Sequence, residues 1–333
     1  MKRGTVAVLL LLVAVSVAAT GGRATGKRQL RVGFVAYSGV VPSSRSIEGQ
    51  MLLGFLRADK ELAVQGQVRF VPPNQDPTGA LEHLARQNYD LIIVAFPGSP
   101  DALARIAEKF PHVRFASPGV PIESFAHPPR NFQGSSYRAE EAAYLAGYLA
   151  ALMEDRRHGK HVISAVGGIP YSGVTRWTDG YEAGAKKADP AISVLIGYSN
   201  DFSNPAKCRR VALSQIAKGS GAVFNVAGAC GLGTLRAAKD EGVWGVGVDI
   251  DQSYLGPHVL TSAILRLDRG VFDAVRSLVR GSFKTGANKV FNVRNGGVEL
   301  GEISPLVPRG VLRRVESIRT AIAAGRIQVP QAG

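Results

Sequence analysis

With 333 residues, 45% hydrophobic and 20% charged, the chain has the composition of an ordinary globular protein, long enough for about two domains. Its formal charge of +14 is scattered mostly as single arginines and lysines among acidic neighbours, with no basic run longer than a pair such as Arg156-Arg157, Arg209-Arg210 or Arg313-Arg314. A dispersed balance of that kind, with no recognition motif beside it, reads as a solvated surface and not as a nucleic-acid footprint.

The first element is Lys2-Arg3 followed by the apolar run Val6–Val17 and the small residues Ala18–Gly22. A cationic head, an apolar core and a small-residue exit make a secretory signal; a membrane anchor is the alternative, but it needs roughly 20 apolar residues. No cysteine stands near the exit to accept a lipid. The expectation is an exported chain, periplasmic or on the outer face of the envelope, without lipidation.

From Leu30 onward short apolar runs alternate with amphipathic stretches. Strands are predicted at Leu30–Val35, Val68–Val71, Leu91–Val94 and Val113–Ala116, with helices at Glu48–Leu62, Gly79–Gln87 and Ala102–Phe110 between them. A proline-containing stretch, Pro118–Phe132, breaks the rhythm before the strongly apolar helix Ala139–Glu154. The alternation then restarts with strands Val162–Val166, Val194–Tyr198, Ala222–Val226 and Val243–Val248, and helices Trp177–Lys187, Pro205–Lys218 and Thr234–Glu241. Two such runs imply two α/β lobes, each a doubly wound parallel sheet that binds ligands at the carboxyl ends of its strands. The last third offers a strand at Val259–Ala263, a helix at Asp268–Arg280, and a hairpin-like segment Lys289–Leu300 turning at Asn295-Gly296-Gly297.

The stretch Ala222–Asp251 runs strand, glycine-rich loop, helix, strand, acid. It approaches a dinucleotide fingerprint, but Arg236 stands where the third glycine belongs, which removes the close helix–strand approach that motif needs. No cofactor is expected. What survives is a carboxylate at a strand end, Asp249, near a loop of exposed backbone N–H groups; an ionised Asp accepts two hydroxyl hydrogen bonds at once. Asp251 reads as the cap of the following turn. Aromatic residues at strand-to-helix junctions, Tyr37, Phe96, Tyr171 and Trp177, either pack the lobes or face the cleft, where a ring can stack on a base or sugar. Neither a nucleophile elbow nor a paired-carboxylate set appears, and the six histidines form no metal-ligating cluster, so neither enzyme nor metal protein is expected. In an exported chain the two cysteines, Cys208 and Cys230, favour a disulfide; two buried free thiols are the alternative.

Three segments carry a family resemblance: Ala142–Met153 (AAYLAGYLAALM), Asn225–Gly233 (NVAGACGLG) and Val246–Leu260 (VGVDIDQSYLGPHVL). Together they are similar to the basic membrane protein family of ABC transporter substrate-binding proteins, over about Leu30 to Val307. The resemblance implies the type I periplasmic-binding-protein fold, two lobes joined by three hinge crossings, closing on a small ligand that in the best-known members is a purine nucleoside. It implies an ABC permease and ATPase as partners and a monomeric binder. Lobes are expected at 28–137 plus 255–282 and at 138–254 plus 283–333, after a signal and linker at 1–27.

By resemblance Asp249 matches the aspartate that grips ribose hydroxyls, Trp177 stands at a base-stacking position, and Gly228 lies in the loop that admits the ligand to the backbone. Tyr37, Ser38 and Phe96 are the first-lobe candidates. Tyr37, Gly119 and Leu265 occupy positions where the family carries Asp, an acid and Lys, which leaves the ligand's identity open. A sensor module feeding a signalling receptor uses the same fold and is the alternative reading; a nucleoside-acting enzyme is a more remote one.

Overall fold

The computed structural model describes residues 28–37, 41–72, 75–95, 99–157 and 159–331. The export segment expected at 1–27, Ser38 and Phe96 lie outside the described residues.

In chain order the first part is β1 (Arg31–Ala36), α1 (Ile47–Leu62), β2 (Gln65–Phe70), α2 (Thr78–Arg86), β3 (Leu91–Ala95), α3 (Pro100–Lys109), β4 (Arg114–Ala116) and β5 (Phe132–Tyr137). The second is α4 (Ala139–Arg156), β6 (Val162–Gly167), α5 (Ser172–Ala188), β7 (Ser193–Tyr198), α6 (Pro205–Ala217), β8 (Ala222–Val226), α7 (Gly231–Asp240), β9 (Trp244–Asp249) and β10 (Val259–Leu265). The chain ends with α8 (Leu267–Val279), β11 (Asn288–Phe291), β12 (Val298–Leu300) and α9 (Arg309–Ala323). Local chemistry sets several helix starts. Ser46 accepts from Gly49 N to cap α1, Ser99 accepts from Ala102 N ahead of Pro100, and Asn204 accepts from Ala206 N ahead of Pro205.

Two six-stranded sheets result, ordered β2-β1-β3-β4-β5-β11 and β7-β6-β8-β9-β10-β12. The first is parallel throughout, and the second is parallel except for its antiparallel edge strand β12. The same doubly wound order occurs twice, so the expected fold class, two parallel-sheet α/β lobes, is what the chain adopts. In each sheet the winding reverses beside the first strand, which places a crevice at the carboxyl ends of β1 and β3 and of β6 and β8. The chain leaves β5 and β10 at their carboxyl ends to enter helices of the other unit, so both sets of carboxyl ends face the interlobe side.

Three passages join the units: at Arg138 between β5 and α4, at Arg266 between β10 and α8, and across Asn292–Gly297 between β11 and β12. Two strands therefore depart from the expected lobe assignment. Val259–Leu265 was expected with the first lobe, but it pairs with β9 in the second sheet; Asn288–Phe291 was expected with the second, but it pairs with β5 in the first. Phe291 is buried there with its ring stacked 4.6 Å from that of Tyr137. The hairpin expected over Lys289–Leu300 is likewise not formed. The turn is real, with Asn295 Oδ1 accepting from Asn292 N and Gly297 N, but its two arms serve different sheets.

α4 is buried from Ala139 through Glu154 and packs along α5. Glycines make that approach possible. A Cβ at Gly147 would lie 1.9 Å from Tyr181 O, and one at Gly184 would lie 1.9 Å from Tyr144 O. Among the described residues no helix is long and apolar enough to cross a membrane.

Candidate functional site

Asp249 closes β9 with a left-handed backbone, φ 65°. Ile250 N donates to Val248 O at 2.7 Å, so Asp249 is the central residue of a tight three-residue turn of the strained, positive-φ kind. Its carboxyl accepts no hydrogen bond from any described residue, and the side chain is withdrawn from bulk water while the residue keeps partial exposure. Burial with no compensating cation pushes its pKa up to about 6. A strained, poorly solvated carboxylate at a strand end has acceptor capacity that no described residue uses.

A buried polar network fixes the turn from behind. Gln252 Oε1 accepts from Val248 N at 3.0 Å and from Asn225 Nδ2 at 3.3 Å, while Gln252 N donates to Ser262 Oγ at 3.0 Å. Asn225, at the end of β8, also accepts from Ala227 N through Oδ1 at 3.1 Å. The loop after β8 and the turn after β9 are thereby one rigid body. Sequence reasoning missed Gln252, Asn225 and Ser262 as positioning residues. The detectable signal was three polar residues within or beside otherwise apolar strands.

Gly228 begins the short 3-10 turn Gly228–Cys230 after β8 with φ 54°, which suits glycine. Cys230 ends that turn and is joined to Cys208 of α6, their Cα atoms 5.6 Å apart; the expected disulfide is present and ties the loop to a helix. The glycines that resembled a phosphate motif have packing duties. A Cβ at Gly231 would collide with the Asn225 side chain, and one at Gly233 would lie 1.9 Å from Pro205 O of α6.

Among the aromatics, Tyr37 directly follows β1 and is partly buried, its hydroxyl without a hydrogen-bond partner among the described residues. Burial, and then the charge of Asp76, raise its pKa well above the phenolic range. Trp177 lies in the second turn of α5, because that helix begins at Ser172 and not at Trp177 as its sequence pattern suggested. Trp177 is 5% exposed and its ring meets Phe224 edge-on at 6.3 Å, with Tyr181 stacked on the same Phe224 at 4.9 Å. Trp177 is thus a core residue of the second unit. Tyr171 is exposed and packs edge-on against Phe202 at 6.4 Å, an aromatic that the sequence reading did not single out. Gly119 has φ 89°, a backbone that disfavours an acid there, and its N–H donates to Ser135 Oγ at 2.8 Å. No group of metal-ligating side chains occurs among the described residues.

Two doubly wound units, with a carboxylate at one strand end that has no partner among the described residues, define a two-lobed α/β fold. Residues 37–332 match the family described as Bmp, ABC transporter substrate-binding protein PnrA-like, and the chain belongs to that family. It is 31% identical over 263 residues to the ABC transporter nucleoside-binding protein BmpA of Lactococcus lactis subsp. cremoris, covering 74% of this chain and 72% of that protein. Among solved structures it is similar to a transcriptional activator of the comK gene from Bacillus halodurans, with a TM-score of 0.76 at 20% identity, covering 90% of this chain and 99% of the other. It is also similar to an ABC transporter solute-binding protein from Aeropyrum pernix K1, with a TM-score of 0.72 at 21% identity, covering 91% of this chain and 94% of the other. These two likenesses show the fold.

Proposed function

We propose that this substrate-binding protein captures a nucleoside or related hydroxylated metabolite outside the cytoplasm and presents it to an ABC permease and ATPase, the lobes closing over the ligand. The observation that carries the reading is Asp249: a largely buried carboxylate at the end of β9, in a strained turn, with no donor from any described residue. Ionised, it accepts two hydroxyl hydrogen bonds, which is the geometry a vicinal diol offers. The similarity to a nucleoside-binding relative supports the same ligand class. Tyr37 and Gly228 lie at the carboxyl ends of β1 and β8, and Ser38 and Phe96 come next in sequence after β1 and β3, whereas Trp177 packs on Phe224 in the core and is left out of this set. A binder of this kind has no need of a catalytic set.

Titration calorimetry of the mature protein with adenosine, guanosine, inosine and D-ribose tests the proposal. At least one nucleoside is expected to bind, and Asp249→Ala to weaken it about 10- to 100-fold, as expected for losing hydrogen bonds to a charged acceptor. Unchanged affinity in the variant removes Asp249 from the site. Absence of binding by every nucleoside overturns the ligand class.

A further inference from the structure

Arg45 and Tyr254 meet across the interlobe mouth. Arg45 belongs to the turn that leads into α1, on the first unit; Tyr254 belongs to the 3-10 turn Ser253–Leu255 between β9 and β10, on the second. The guanidinium carbon of Arg45 stands 4.4 Å from the centroid of the Tyr254 ring, within cation–π range. Tyr254 is 40% exposed, so the hydrophobic core does not account for it, and among the described residues Arg45 has no carboxylate within ion-pair distance.

Both partners stand on prefixed backbone. On the Tyr254 side, Asp251 accepts from Ser253 N at 3.0 Å and from Glu302 N at 3.1 Å, and Leu255 N donates to Gln252 O at 3.0 Å. On the Arg45 side, Arg45 N donates to Ser43 Oγ at 3.1 Å and Gln50 Nε2 donates to Ser44 O at 2.6 Å. Little conformational freedom is lost when two such turns meet. Gln252, which holds the Asp249 turn, also accepts the hydrogen bond that shapes the Tyr254 turn, so the stack and the candidate ligand acceptor share one rigid loop.

We infer that Arg45 and Tyr254 form a latch that favours the closed arrangement of the lobes and slows ligand escape. The inference rests on closure as the mode of capture, but its test needs no ligand and is independent of the nucleoside reading. At an exposed site a cation–π contact shifts a two-state balance about two- to fivefold.

Dyes placed at the exposed positions Glu108→Cys and Lys187→Cys, one on each unit, report lobe separation by single-molecule energy transfer. The native cysteines are tied in their disulfide and leave the new thiols free to react. In ligand-free protein, Arg45→Gln and Tyr254→Ala are each expected to lower the closed fraction two- to fivefold, the double variant no further than either single one, and Tyr254→Phe hardly at all. Unchanged distributions, additive single effects, loss of closure in Tyr254→Phe, or a parent protein with no closed population would each overturn the latch.

Discussion

Asp249 combines two costs, a left-handed backbone at a non-glycine residue and a carboxylate held away from water, and neither is offset by a protein partner among the described residues. Its folded pKa of about 6 lies above the ordinary carboxylate value, so the proton is held more tightly in the folded state. The stability linked to that proton is complete below about pH 4 and is lost as pH rises through 6. Asp249→Asn keeps the shape, tolerates the left-handed backbone and removes the charge. It is expected to stabilise the protein by roughly 1–3 kcal/mol at pH 7.5, with the gain shrinking toward zero near pH 4, as read by urea unfolding at both values. An equal gain at both values would disprove the ionisation argument. This acid was legible in the sequence because it ends an apolar strand after a glycine-rich loop. Gln252 and Ser262 were not, since the bonds joining Asn225, Gln252 and Ser262 span 27 and 10 positions and leave no local period.

At the scale of elements, periodicity located most strands and helices, because fully buried parallel strands such as Leu91–Ala95 are unbroken apolar runs, but it did not find β5 (Phe132–Tyr137) or α9 (Arg309–Ala323). It failed where pairing partners decide the outcome. β11 and β12 flank a sound turn signal, but each finds its neighbour in a different sheet, and turn chemistry carries no information about that choice. The start of α5 was also read late, and this is why Trp177 looked like a junction residue and proved to be part of the core. The α4–α5 contact depends on glycine in a way that composition does not reveal. Gly184→Ala would place a methyl 1.9 Å from the backbone oxygen of Tyr144, which cannot swing aside as a side chain does. The two helices must separate, at an expected cost of about 2–4 kcal/mol in thermal or urea unfolding. Gly242→Ala is the contrasting control for sterics: nothing lies near its Cβ, so any loss comes from its φ of 65° alone.

Across the whole molecule, Arg266 marks one passage between the units and grips both. Its Nε and Nη2 donate to Asp268 of α8 at 2.9 and 2.8 Å, and its Nη1 donates to Glu299 of β12 at 2.8 Å. Burial works against ionised Asp268, but the Arg266 hydrogen bonds outweigh it and hold the carboxyl below its usual range. The pair therefore contributes stability at neutral pH that disappears as Asp268 is protonated in acid. Arg266→Ala is expected to cost about 1–3 kcal/mol at pH 7 and progressively less below about pH 4, the discount from a fully buried pair reflecting partial exposure of the guanidinium. A penalty constant with pH would assign the loss to packing instead. The order in which the chain visits the two sheets has a further consequence for biogenesis. Each sheet receives its edge strand only at the end, β11 at Asn288–Phe291 and β12 at Val298–Leu300, within a dozen residues of one another. Neither half is finished when its own first five strands have been synthesised, and the first waits for the second to be nearly complete. A chain emerging amino end first from a ribosome or a translocation channel therefore holds two unfinished sheets until almost its last segment is free. The same short late segment of the chain therefore completes both sheets.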